Sequence, residues 1–196
     1  MELIFATNNR HKAEEIQQLL PESIQVLTLE DVDFQQEIPE EQDTLEGNAS
    51  QKSRYIYEHL ARSCFADDTG LEVDALRGAP GVYSARYAGD NKDPEANMDK
   101  LLEEMKGEEN RRARFRTVIS LILDEQELFF EGVVEGHILK EKRGDGGFGY
   151  DPVFMPEGSS LSFSQMPMHM KNRISHRSRA IKKLANYLNQ YQNKRS

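Results

Sequence analysis

Two stretches, ARFRTVISLIL at 113–123 and ELFFEGVVEGHIL at 127–139, constrain the fold of this chain most strongly. In the first, Phe115, Thr117, Ile119, Leu121 and Leu123 alternate with Arg114, Arg116 and Ser120. That period of two sends successive side chains to opposite faces of a strand. Only a short polar turn separates the runs, so together they predict a long antiparallel hairpin. Shorter strands are expected at 2–7 (ELIFAT), 24–29 (IQVLTL) and in SCFADD, which ends on a pair of carboxylates. Helical spacing appears in Ala13, Ile16, Leu19 and Leu20 before Pro21, and from about Asp43 with Leu45, Ala49, Ile56 and Leu60. A third helix is expected from Asp93-Pro94, and a C-terminal one from about Lys171 to Tyr191. The segment 70–89, GLEVDALRGAPGVYSARYAG, reads as an ordered loop with turns. The prediction is an α/β or α+β sheet protein in which residues 1–196 form a single domain, or two closely joined lobes.

A chain of 196 residues buries enough surface to fold without disulfides, and its single cysteine, Cys64, cannot form an internal one. No apolar run approaches the ~20 residues of a membrane span, and MELIFAT carries no basic leader. The expectation is a soluble cytoplasmic protein with no membrane partner. A formal charge of −9 argues against a nucleic-acid polymer as partner, since phosphates along a duplex demand a basic face.

Four stretches could carry chemistry. FADDTG (65–70) places Asp67 beside Asp68. An aspartic protease needs two such aspartates on an all-β frame. This chain has one Asp-Thr-Gly and at least four expected helices. The haloacid-dehalogenase pattern separates its aspartates by one residue, and here they touch. Two readings remain: an acidic pair that ends a strand in a turn, or carboxylates serving Mg²⁺ and a water in phosphate-ester hydrolysis. The second reading requires the strand to break at Thr69-Gly70, because a regular strand offers only one of two neighbours to any site.

TNNRHK (7–12) lies between a strand and a helix, where backbone N–H groups can face an anion and Lys12 can add charge. Helix capping by Asn8 or Asn9 is the plainer reading. GDGGFGYDP (144–152) matches Gly-x-Gly-x-x-Gly, yet Pro152 disfavours the helix that a dinucleotide fingerprint opens. It is either a tight turn or a loop that offers Phe148 to a flat base. KNRISHRSRA (171–180) is a basic cluster in an acidic chain, either a solvated helix face or a set of phosphate and base contacts.

FADDTGLEVDALRGAPGVYSARYAG, with TNNRHK, GGFGYDPVF and ISHRSRA in the same order, resembles the inosine triphosphate pyrophosphatase (Ham1/RdgB-like) family over nearly the whole chain. The resemblance implies an elongated mixed β-sheet flanked by helices, with an active-site cleft between two lobes. It also implies a Mg²⁺-dependent homodimer that cleaves inosine, deoxyinosine and xanthosine triphosphates to monophosphate and pyrophosphate. On the matching positions, Thr7, Asn8, Asn9, Arg10, His11 and Lys12 form the phosphate loop, and Lys52 is a substrate lysine. Asp68 is the proton acceptor and a metal ligand, Glu40 the second metal ligand, and Thr69 a substrate contact. Phe148, Gly149, Tyr150 and Asp151 form the base loop, with Lys171, His176 and Arg177 the C-terminal substrate set.

The chain departs from the family pattern twice. TLEGNA carries Gly47 where the family often has glutamate, which leaves Glu37, Glu41 and Glu46 open as alternatives to Glu40. MPMHMKNR replaces an acidic pair before Lys171 with methionines and His169. Two other classes stay open: a nucleotide-binding regulator without hydrolysis, and a Maf-type pyrophosphatase acting on modified nucleotides.

Overall fold

A computed structural model describes residues 1–8 and 10–194. Among these, seven strands form one mixed sheet. They are β1 (Glu2–Phe5), β2 (Gln25–Leu27), β3 (Cys64–Val73), β4 (Pro80–Gly81), β5 (Arg112–Leu123), β6 (Gln126–Ile138) and β7 (Phe154–Pro156). Their order is β2-β1-β3-β5-β6-β7, with β4 added to β3. Strands β2 and β3 both run parallel to β1, in a register that sets Ile4 beside Cys64 and Phe5 beside Phe65. The helices are α1 (Arg10–Gln17), α2 (Leu45–Leu60), α3 (Pro94–Glu104), α4 (Met168–Ile174) and α5 (His176–Asn193).

The predicted hairpin is β5–β6. Its two connecting residues, Asp124 and Glu125, both take positive φ (49° and 65°). That backbone matches the right-handed twist of the strands it joins. The burial of β5 changes along its length: buried Ala113 and Phe115 alternate with exposed Arg112 and Arg114, whereas Thr117 to Leu123 are all buried. An alternating strand covers one face, and a continuous apolar run is covered on both.

The chain divides into two compact units. The first comprises Met1–Asp68, Val118–Glu131 and the chain from Arg179 on. There α1 and α5 pack Ala13, Ile16, Ile181, Leu184 and Leu188 onto Leu3, Phe5, Phe65, Ile119 and Leu121. The alternate residues Ile4, Cys64 and Ile122 meet Ile56 of α2 on the other face. The second unit comprises Thr69–Thr117 and Gly132–Ser178. Its core joins Met98 and Leu101 of α3 to Leu71, Val73, Phe115, Val134, Phe154 and Phe163.

Three expectations are corrected. Strand β3 does not stop at the carboxylate pair but runs to Val73, because Leu71 and Val73 are fully buried and Leu71 and Glu72 pair with β4. The expected C-terminal helix is two helices. Ser175 leaves the helical region at ψ 151° and its Oγ accepts the Ser178 N–H at 3.2 Å, ending α4 and capping α5. Helix α1 ends at Gln17, before Leu19 and Leu20, so the pattern overran it by a turn.

Candidate active site

Within the first unit, the regular geometry of β3 separates its two aspartates. Phe65 and Asp67 share the face that α1 covers, and Cys64 and Asp68 the face that α2 covers. Accordingly, Asp67 Oδ2 lies 3.5 Å from Lys12 Nζ in the first turn of α1. Asp68 faces α2, where Asn48 Nδ2 donates to its Oδ2 at 3.1 Å and Lys52 Nζ lies 3.5 Å from its Oδ1. The strand therefore need not break for both acids to be used: each has its own lysine.

Lys52 also donates to Glu40 Oε1 at 2.6 Å. Its i−4 neighbour Asn48 and i−1 neighbour Gln51 hold the same segment, accepting the Gln42 and Glu41 N–H groups at 2.9 Å each. Of the four candidate glutamates, Glu40 is the one brought to Lys52, while Glu37 and Glu41 are exposed.

Burial disfavours the charged form of Lys52, but the fields of Asp68, Asp67 and Glu40 outweigh it and leave its pKa above the ordinary value. Burial also pushes Asp68 above the usual carboxylate range, against the opposing pull of Lys52 and the Asn48 hydrogen bond. Glu40 and Asp68 are hard oxygen donors, yet the described residues hold no cluster of three metal-ligating side chains. This donor set fits Mg²⁺, which takes one or two carboxylates and completes its shell with water and substrate phosphates.

At the loop before α1, the Thr7 carbonyl accepts the Leu29 N–H at 3.1 Å, and Asn8 is exposed. Asn9 lies outside the described residues, as do the side chains of Arg10 and His11.

The second unit holds the other predicted residues. Phe148 stands 61% exposed, with Lys171 Nζ 4.4 Å and Arg177 Cζ 5.7 Å from its ring centre. Behind it Asp151, 2% exposed, accepts the Phe148 N–H at 2.8 Å and pairs with buried Lys171. Gly147 is required there: its φ is +78°, and a Cβ would strike the Asp151 carboxylate. Tyr150 is also interior, donating its hydroxyl to the Ser84 carbonyl at 2.9 Å. His176 stacks on Phe115 at 4.7 Å and 17°, buried to 5%. Thr69 Oγ1 lies 2.8 Å from Thr117 Oγ1. Phe148 thus faces outward, while Tyr150, Asp151 and His176 form the framework behind it.

Sequence reasoning missed Asn48, Ser84 and Asn97. Asn48 sits four residues before Lys52, the spacing that puts both on one helix face. Ser84 Oγ takes the Leu71 N–H at 2.9 Å and donates to the Gly81 carbonyl at 2.6 Å, while the Ser84 carbonyl holds Tyr150. Asn97 clamps the same segment through the Ala88 N–H and the Ala85 carbonyl. No local pattern marks these last two, because their partners are backbone groups.

Fold and cluster define an α/β protein that gathers lysines and carboxylates around one strand. The chain belongs to the Ham1 family, whose sequence model matches residues 3–187. It is 50% identical over 188 residues to the dITP/XTP pyrophosphatase of Flavobacterium johnsoniae, covering 96% of this chain and 98% of that one. The dITP/XTP pyrophosphatase of Porphyromonas gingivalis is 51% identical over 187 residues, 95% of this chain and 96% of its own. The solved Ham1 protein of Staphylococcus aureus superposes with a TM-score of 0.93 at 38% identity, covering 97% of this chain and all (100%) of that one.

Proposed function

We propose that this chain is a nucleoside-triphosphate pyrophosphatase that hydrolyses ITP, dITP and XTP to the monophosphate and pyrophosphate with Mg²⁺, removing deaminated purines from the nucleotide pool. The observation that carries this reading is Asp68, held by Asn48 and Lys52 at the strand position where the family signature falls. Two relatives at about half identity are named dITP/XTP pyrophosphatase.

Lys12 and Lys52 offset the charge of the triphosphate and of the departing pyrophosphate. Asp68 accepts the proton of a water as its oxygen bonds to phosphorus, and the P–O bond to the leaving group breaks. Glu40 and Asp68 would hold Mg²⁺, which would supply charge neutralisation for the phosphates and activation of the attacking water. The Phe148 ring stacks on the base, and Arg177 donates to its 6-carbonyl, which adenine replaces with an amino group. A site built to hydrogen-bond a substrate group rejects an analogue lacking it by roughly 10⁴ or more. A homodimer in the cytoplasm is the setting we infer for this activity.

The test is a panel of inosine, xanthosine, guanosine, adenosine and pyrimidine triphosphates, with and without Mg²⁺, read by pyrophosphate release. Release from the inosine and xanthosine substrates alone, only with Mg²⁺, is expected. Preference for pyrimidine substrates, or binding without release, overturns the reading.

A further inference from the structure

The Asn48 carboxamide, 2% exposed, is used at both ends. Asp68 is a carboxylate acceptor and the Gln42 N–H is a donor, so chemistry fixes which end of the amide faces which partner. Nδ2 must face Asp68 Oδ2 and Oδ1 must face Gln42 N–H, as observed at 3.1 and 2.9 Å. The terminal torsion of an aspartate is broad and roughly two-fold. Pinning Oδ2 to Asn48 selects one orientation and leaves Oδ1 toward Lys52. The same amide ties down the segment that carries Glu40.

Gly47, the departure from the family pattern, belongs to this arrangement. A Cβ there would lie 2.7 Å from Gln42 Cβ, closer than side chains tolerate, and 3.0 Å from Thr44 Oγ1, a tight contact. Glycine in a helix is destabilising by roughly 0.5–1 kcal/mol relative to alanine. Here it opens the gap through which the 40–44 segment crosses the first turn of α2. Three further contacts hold that segment: Gly47 N–H to Thr44 Oγ1, Glu41 N–H to Gln51, and Glu40 to Lys52.

We propose that Asn48 is a positioning residue for the reaction, orienting Asp68 and docking the Glu40 segment on α2, with Gly47 as the gap that admits the segment. The proposal rests on the reading of Asp68 as proton acceptor given above.

Asn48→Ala, Asn48→Asp and Gly47→Ala in the full chain separate its parts. The readouts are hydrogen exchange at the Gln42 amide, and kcat and KM for dITP at pH 8 per folded molecule. In Asn48→Ala, kcat falls about 10–100-fold, as for other partners that orient a reacting group. KM stays within about threefold, and the Gln42 amide exchanges about tenfold faster or more. Asn48→Asp keeps the acceptor for Gln42 but cannot donate to Asp68, so its Gln42 amide stays protected while kcat falls at least as far. Gly47→Ala deprotects Gln42 with the Asn48–Asp68 contact intact. An Asn48→Ala variant with unchanged kcat per folded molecule, or with Gln42 still protected, overturns the positioning role. A wild type that releases no pyrophosphate sinks the proposed activity, and this proposal with it. A fully active wild type beside an indifferent Asn48→Ala sinks the positioning role alone.

Discussion

Lys171 carries its ammonium 4.4 Å from the centre of the exposed Phe148 ring while its own charge is answered by Asp151. A cation over an aromatic face holds the ring by its quadrupole. The Phe148 N–H is fixed by the same Asp151 carboxylate, so ring and backbone are set together.

Replacing Phe148 with alanine is expected to raise KM for inosine triphosphate roughly 5–150-fold, the worth of one base–aromatic stack at about 1–3 kcal/mol. The kcat value should stay within about threefold, since the ring touches no reacting atom in the proposed mechanism. Steady-state kinetics decide it: a fall in kcat with KM unchanged would remove the ring from base binding.

Arg177 is the candidate reader of the 6-carbonyl. In Arg177→Ala the ratio of kcat/KM for inosine over adenosine triphosphate should narrow about tenfold or more. An unchanged ratio assigns base choice to another group, even if both rates fall.

The Asp68→Asn variant retains the shape of the side chain and loses the proposed base. Its turnover with Mg²⁺ should drop about 10²–10⁴-fold, the usual contribution of a general base. Burial already disfavours the charged carboxylate, so the melting temperature should not fall. Pyrophosphate release and a thermal melt on one preparation give both numbers. Near-normal turnover takes Asp68 out of the chemistry.

Cys64, fully buried, has its thiol pushed up by burial from 9.0 to about 12. The folded state therefore binds this proton more tightly than the unfolded chain does. The resulting stability is fully present below about pH 9 and is lost as the pH climbs toward 12, at most about 1.4 kcal/mol per unit. Urea midpoints of wild type and Cys64→Ala should accordingly converge between pH 9 and 11. At pH 7.5 the native thiol should resist a disulfide reagent until the protein unfolds. Rapid labelling of the native state would contradict its burial.

The hairpin was legible because alternation in ARFRT is a direct print of one-sided burial, whereas the alternation expected as far as Leu123 gives way to burial on both faces from Thr117 on. Helix α3 was equally plain, since Asp93 caps it and Pro94 opens it. The strand beyond Gly70 was obscured by the glycines and prolines that follow, although Leu71 and Val73 keep the period of two. The break at Ser175 had no glycine or proline to announce it, and only the serine's capping bond reveals the boundary. Lys12, Lys52 and Asp68 stood out through motifs, whereas Asn48 resembled any polar residue in a helix's first turn. Its role depends on Asp68, twenty positions away in sequence, and on a backbone N–H with no residue signature.

The face-to-face separation of Asp67 and Asp68 makes the proposed chemistry hostage to strand register. Slipping β3 by one residue against β1 would exchange the two acids, handing Asp67 to α2 and Asp68 to α1. The same slip would pull Phe65 off Phe5, whose rings stack at 4.5 Å, and turn Phe65 away from the core it shares with Phe5. No misregistered chain can keep its packing and misplace its base. The hydrophobic interior thus acts as an error check on the reaction, and substitutions at Phe5 or Phe65, though neither is a site residue, should be felt in turnover.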